Sequence, residues 1–314
     1  MSSVCFQRCL RNLCAFVICL SLISGCGPTN GSGIPDRITA ERGGFIPEGI
    51  EYDNVNSRFL SGSLAEGTIY EITNSGQVLP AIMDEGLIAT VGIEVDEERN
   101  RLLVANSESF AAPGPGTAML GIYSLSSGER LAMVDLTAAV ENPPADARYF
   151  ANDVTVSTAG TVFITDTRLS VIYKVDQYYQ ASVLIDFGMD SGLFLNGIEY
   201  HPAGYLIAVS SQGGELIKIP LNAPNRWSLV EVDFPATGGD GLVWANDGGL
   251  VSTSNNRSAV MKYRSDDHWN SARLTGMASF EGQGTTAAAV NDDIFVVQPH
   301  FADAEPPEIL RVKF

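Results

Sequence analysis

The sequence predicts an all-β fold, a six-bladed β-propeller, on three observations. A short motif recurs six times along the chain, and four of the five steps between copies are 43 to 45 residues. Short β-branched and aromatic runs alternate with turn residues inside each unit. No stretch sustains a helical period. Four strands per unit, repeated at that period, is the pattern of propeller blades. A pair of β-sandwiches, the competing all-β arrangement, gives no reason for six equal units.

The first 36 residues read as an address. Arg8 and Arg11 form a cationic region, and Leu13 to Ile23 is a short apolar one. Ile23-Ser24-Gly25-Cys26 has the shape of a bacterial lipobox, so residues 1–25 read as a lipoprotein signal peptide. The Cys26 thiol is the expected lipidation point. Residues 26–36, rich in Gly, Ser, Pro and Asn, read as a flexible tether. Gly27 after the cysteine favours the outer membrane, with the protein facing the periplasm. All five cysteines lie within the first 26 residues, so the folded body holds no disulfide, thiolate nucleophile or Cys-ligated zinc.

The propeller is expected over residues 37–314 of the 314-residue chain. The unit openings are Glu48-Gly49-Ile50, Val91-Gly92-Ile93, Asn152-Asp153-Val154, Asn196-Gly197-Ile198, Asp240-Gly241-Leu242 and Thr285-Thr286-Ala287. A polar turn and a second apolar run follow, as in Tyr205-Leu206-Ile207. A third strand carries an aliphatic–aromatic beat, as in Ile69-Tyr70, Ile122-Tyr123 and Ile172-Tyr173. The last unit ends on its third strand, Glu308 to Phe314. Arg37-Ile38-Thr39-Ala40 is expected to supply the missing fourth strand and close the ring, leaving no open edge.

Composition narrows the partners. There are 37 Asp and Glu against 19 Lys and Arg, a formal net charge of −18. Loss of residues 1–25, with Arg8 and Arg11, takes it to −20. That excess excludes nucleic acid, and it excludes a broad electrostatic hold on anionic lipid. Membrane contact is expected only through the lipid anchor, and the chain is expected to be a monomer.

The first strand of each blade lines the central channel. Glu48, Val91, Asn152, Asn196, Asp240 and Thr285 therefore point at one axis from six sides. Two carboxylates and two amides meet there, with no Lys, Arg or His in that register. Unrelieved carboxylates repel, and oxygen-only donors suit a hard cation, calcium before zinc or manganese.

These positions resemble the metal-binding positions of the gluconolactonase, regucalcin and luciferin-regenerating-enzyme family. The similarity rests on Glu48 in Pro-Glu-Gly, Asn152 in Ala-Asn-Asp-Val, Asn196 in Leu-Asn-Gly-Ile and Asp240 in Gly-Asp-Gly-Leu, and runs through about residues 45–301. The chain departs from many gluconolactonases at Ile50, and no His stands in the channel register. The resemblance implies a six-bladed propeller with a divalent metal, often calcium, at the channel mouth, and hydrolysis of a sugar lactone or another lactone or ester.

On that reading Glu48, Asn152, Asn196 and Asp240 hold the metal, and Asp240 is also the catalytic base or nucleophile. Thr285, His300 and Arg168 are the candidate substrate-binding residues. Strand parity places His300, Arg168 and the loops 110–117 and 141–148 on the site face, where the loops could form a lid. It places His201 and His268 on the opposite face. The alternative function is a non-catalytic, metal-stabilised propeller lipoprotein that binds a protein or cell-envelope ligand.

Overall fold

A computed structural model describes residues 33–301 and 305–314. The proposed signal peptide, Cys26 and most of the tether lie outside the described residues. Six small antiparallel sheets form a ring, a six-bladed β-propeller. Among the described residues the only helical segments are four 3₁₀ turns of three residues each. No described helix is long and apolar enough to cross a membrane.

Each blade runs from the hub outwards. Blade 2, for example, comprises Ala89–Asp96, Arg101–Ser107, Ala118–Ser124 and Arg130–Asp135. The ring closes as the sequence predicts. Arg37–Thr39 pairs antiparallel with Glu308–Val312 and becomes the outer strand of blade 6. Thr39 Oγ1 donates to Glu308 Oε1 at 3.0 Å, and Arg37 pairs with the same carboxylate. Blade 5 carries one extra strand, Glu231–Val232, laid parallel along its outer strand Ser271–Ser279. That addition covers the first two residues of that edge.

The end of the sequence-predicted tether belongs to the body. Ile34 is buried among Phe45, Phe59 and Phe295 in the core shared by blades 1 and 6. Asp36 pairs with Arg311 at 2.8 Å. An apolar residue beside the closing strand gains more from this packing than from solvent exposure.

The aromatic beat of the third strands fills the wedges between blades. Tyr123, Tyr173 and Tyr263, on the third strands of blades 2, 3 and 5, are fully buried. Each hydroxyl finds an acceptor: Asp84 at 3.1 Å, Asp166 at 3.1 Å and the Phe234 carbonyl at 3.0 Å. Large rings thereby pack the core without stranding a polar atom.

A repeated irregularity shapes the hub. In blades 2 to 5 the first strand carries a β-bulge at the motif. The doubled pairs are 91–92, 152–153, 196–197 and 240–241, each standing where the second strand supplies one residue. A bulge breaks the alternation of the pleat and re-aims the side chain. It directs the motif residues into one mouth of the channel and, in blades 2, 4 and 5, the residues three places later (Glu94, Glu199 and Val243) into the other. Glycine usually fills the second bulge position because neighbouring backbones meet there. A Cβ on Gly197 would lie 2.5 Å from the Asp240 carbonyl oxygen.

Candidate metal and hydrolase site

All six motif residues, Glu48, Val91, Asn152, Asn196, Asp240 and Thr285, line a single cleft of about 530 Å³ at one mouth of the channel. Hydrogen bonds between blades hold their backbones. Gly49 N–H donates to Val91 O at 3.1 Å, Gly241 N–H to Thr285 O at 2.9 Å, and Thr285 Oγ1 to Glu48 O at 2.7 Å. Glu48 and Asn152 are buried, while Asn196 and Asp240 keep partial access to the cleft.

The side chains are aimed by neighbours. Asn152 Nδ2 donates to Thr167 Oγ1 at 2.9 Å, and that hydroxyl donates to Leu195 O at 2.6 Å. The amide is thereby turned so that its carbonyl oxygen is the free end. That oxygen, Asn152 Oδ1, and Glu48 Oε2 are buried with no hydrogen-bond partner. Asp240 is held by amide donors from Asn196 and from Asn255, the latter at 3.4 Å.

Electrostatics make the site costly without a cation. Burial lifts the Glu48 carboxyl well above its usual range, and the charges of Asp240 and Asp153 add to the rise. Burial also lifts Asp240 to about 7, against the opposing pull of the two amide donors. Among the described residues, no Lys, Arg or His lines this cleft. Orphaned oxygens beside desolvated carboxylates fit a hard divalent ion. Among the described residues, no three His, Cys, Asp or Glu side chains gather closely enough to hold an ion by themselves, so a site here needs the amide oxygens.

Asp153 is a residue that sequence reasoning passed over. It occupies the second bulge position, where blades 1, 2, 4 and 5 have glycine. Its Oδ2 accepts from Ile198 N–H at 3.0 Å, tying blade 3 to blade 4. Burial raises its carboxyl to about 7. The signal was available: one acid in a glycine slot of an otherwise regular repeat.

Arg168 and His300 are not on the cleft wall. The Arg168 guanidinium lies 4.3 Å over the Phe110 ring and donates to the Phe110 carbonyl. It pins the 110–117 loop to the site face, and Phe110 reaches the cleft. His300 is half-buried with φ near +56°, and its neighbour Phe301 lines the mouth. His201 stacks on Tyr205 and meets Trp244 edge-on, and Trp244 lines the opposite mouth.

That opposite mouth holds Glu51, Glu94 and Glu199, each three places after a motif residue. Burial raises all three carboxyls, Glu51 to about 8, and the Asp153 charge adds to each; Glu97 also acts on Glu51, the Glu51 charge on Glu199, and the charges of Glu51, Glu199 and Asp96 on Glu94. A carboxyl with a raised folded pKa binds its proton more tightly in the native state. Stability is therefore complete below the unfolded value near 4.5 and declines as pH rises towards about 8. The melting temperature of chelator-treated protein is expected to fall by roughly 5–10 °C between pH 5 and pH 8. In Glu94→Gln this fall is expected to be smaller, and an unchanged slope would refute the assignment.

Solved structures share this ring. The major allergen Mala s 1 of Malassezia sympodialis matches with 16% identity and a TM-score of 0.74, over 89% of this chain and 96% of that one. Regucalcin from Agrobacterium tumefaciens, a calcium-binding protein, matches with 16% identity and a TM-score of 0.62, over 89% and 95%. A gluconolactonase from Xanthomonas campestris matches with 14% identity and a TM-score of 0.63, over 88% and 89%. The likeness is one of fold. No family model and no curated protein matches the chain.

Proposed function

We propose that the chain is a divalent-metal-dependent hydrolase of ester-like bonds, a lactone foremost, with calcium as the ion. One observation carries the reading. Glu48 Oε2 and Asn152 Oδ1 are buried without partners on a hub that also holds the Asp240 carboxylate and, among the described residues, has no cationic side chain on its wall. Glu48, Asn152, Asn196 and Asp240 would hold the ion through oxygen alone, which ranks calcium above zinc or manganese.

A bound divalent ion supplies polarisation of the substrate carbonyl. The chain's residues supply the remainder. Asp240, fixed by the Asn196 and Asn255 amides, would take the proton of an attacking water at a carboxylate oxygen. The Thr285 hydroxyl proton is committed to the Glu48 carbonyl, so its oxygen would accept a hydrogen bond from the substrate. Buried Val91 and the phenylalanines of the rim would keep bulk water from the reacting bond. The gluconolactonase and the calcium-binding regucalcin among the structural neighbours support the same reading.

The test is lactone opening with calcium, after chelation, and after calcium is restored. Loss and recovery are expected. Activity indifferent to the chelator would end the proposal. A calcium-dependent rise in melting temperature with no turnover would favour the non-catalytic propeller that binds an envelope ligand. The proposal includes a monomer attached through lipidated Cys26 to the envelope, facing the periplasm. Release of Cys26→Ser from the membrane fraction is expected, and its retention there would refute the anchor.

A further inference from the structure

The rim above the hub is built from phenylalanines. Phe110 comes from the long loop of blade 2, Phe150 and Phe194 from the connections into blades 3 and 4, and Phe301 from the outer loop of blade 6. Phe110, Phe194 and Phe301 are 52%, 44% and 41% exposed, and all three face one cleft. Isolated exposed aromatics are ordinary, but a ring of them around a single cavity marks a binding surface for apolar matter.

Two of these rings are held against each other. Phe110 packs edge-on against Phe150 with centroids 5.0 Å apart, and Arg168 covers its outer face. Above the proposed ion ligands, the hydroxyls of the wall are committed. Thr167 donates to Leu195 O at 2.6 Å, and Ser211 donates to Phe194 O at 3.1 Å. Gln212 and Asn256, on exposed turns, are the polar side chains of the outer wall with no such commitment. A polyhydroxylated ring needs a partner for each hydroxyl it surrenders from water, and this wall offers few.

We infer that the ligand is amphiphilic: a carbonyl head seated at the hub and an apolar alkyl or aryl body lying among Phe110, Phe194 and Phe301. The substrate class is thus an apolar lactone or ester rather than a sugar lactone. This rests on the hydrolase reading only for the reaction, and not for the binding.

The experiment separates the two. Affinities of calcium-loaded protein are measured by calorimetry for three non-hydrolysable lactams: unsubstituted γ-lactam, γ-lactam with a hexyl chain, and a polyhydroxylated δ-lactam. The hexyl lactam is expected to bind at least about 30-fold more tightly than either of the others. Phe194→Ser and Phe301→Ser are each expected to weaken it about tenfold, with melting temperature verifying that the variants fold. Equal or tighter binding of the polyhydroxylated lactam overturns the inference, as does an absent chain effect or no binding of any probe. The wild-type ranking decides the matter even if a variant fails to fold. Hydrolysis of the matching lactones is scored separately. An intact ranking with no turnover sinks the hydrolase reading alone, and a reversed ranking with turnover of the sugar lactone sinks the apolar ligand alone.

Discussion

Asp240→Asn is expected to lower kcat/KM for lactone opening by about a thousandfold while raising the melting temperature of the metal-free protein. Both effects have one cause. The protein around Asp240 desolvates its carboxylate and lifts its pKa to about 7, so the charge is costly in the folded state. An amide of the same shape removes that cost. It also removes a proton acceptor, worth about two to four orders of magnitude in comparable sites, together with one charged donor to the ion. The pairing of lost activity with gained stability is the informative part. A variant that lost activity by misfolding would melt lower. A variant that kept more than a tenth of the activity would remove Asp240 from the chemistry.

Gly197→Ala is expected to cost about 3 kcal/mol or more and to lower the melting temperature by roughly 6–12 °C. The added Cβ would lie 2.5 Å from Asp240 O and 2.6 Å from Leu242 N. Both atoms are backbone and cannot rotate aside, so blades 4 and 5 must part at the hub. Because Asp240 is one of the atoms' owners, calcium affinity should fall with stability. A melting temperature within 2 °C of the parent would contradict the close packing on which the site's geometry depends.

The fold was readable because its signals are periodic. The motif at Glu48, Asn152, Asn196 and Asp240 recurs at a nearly constant step, and Arg37–Thr39 stood ready for the blade that lacked a strand. The convergence of the six motif residues on one cleft was readable for the same reason. What sequence could not convey was the bulge. Strict alternation says nothing about Glu94 and Glu199 joining Glu51 at the opposite mouth, because the bulge offsets the pleat of their strands by one place. Side-chain commitments were equally hidden. Arg168 looks like an anion-binding group until its guanidinium is found over Phe110. Thr285 looks like a free hydroxyl until its proton is found on the Glu48 carbonyl. The phenylalanine rim comes from loops with no repeat to mark them, and only the folded ring brings Phe110, Phe194 and Phe301 together. Ile34 was misassigned to the tether because a Gly- and Pro-rich neighbourhood masks one buried side chain.

The account turns on one ion held by Glu48, Asn152, Asn196 and Asp240, and calorimetric titration of metal-stripped protein with calcium tests it most directly. One calcium per chain is predicted, with binding lost in Glu48→Gln and retained when Glu94 at the far mouth is changed to Gln. No binding up to millimolar calcium, or binding that Glu48→Gln leaves unaltered, would contradict it.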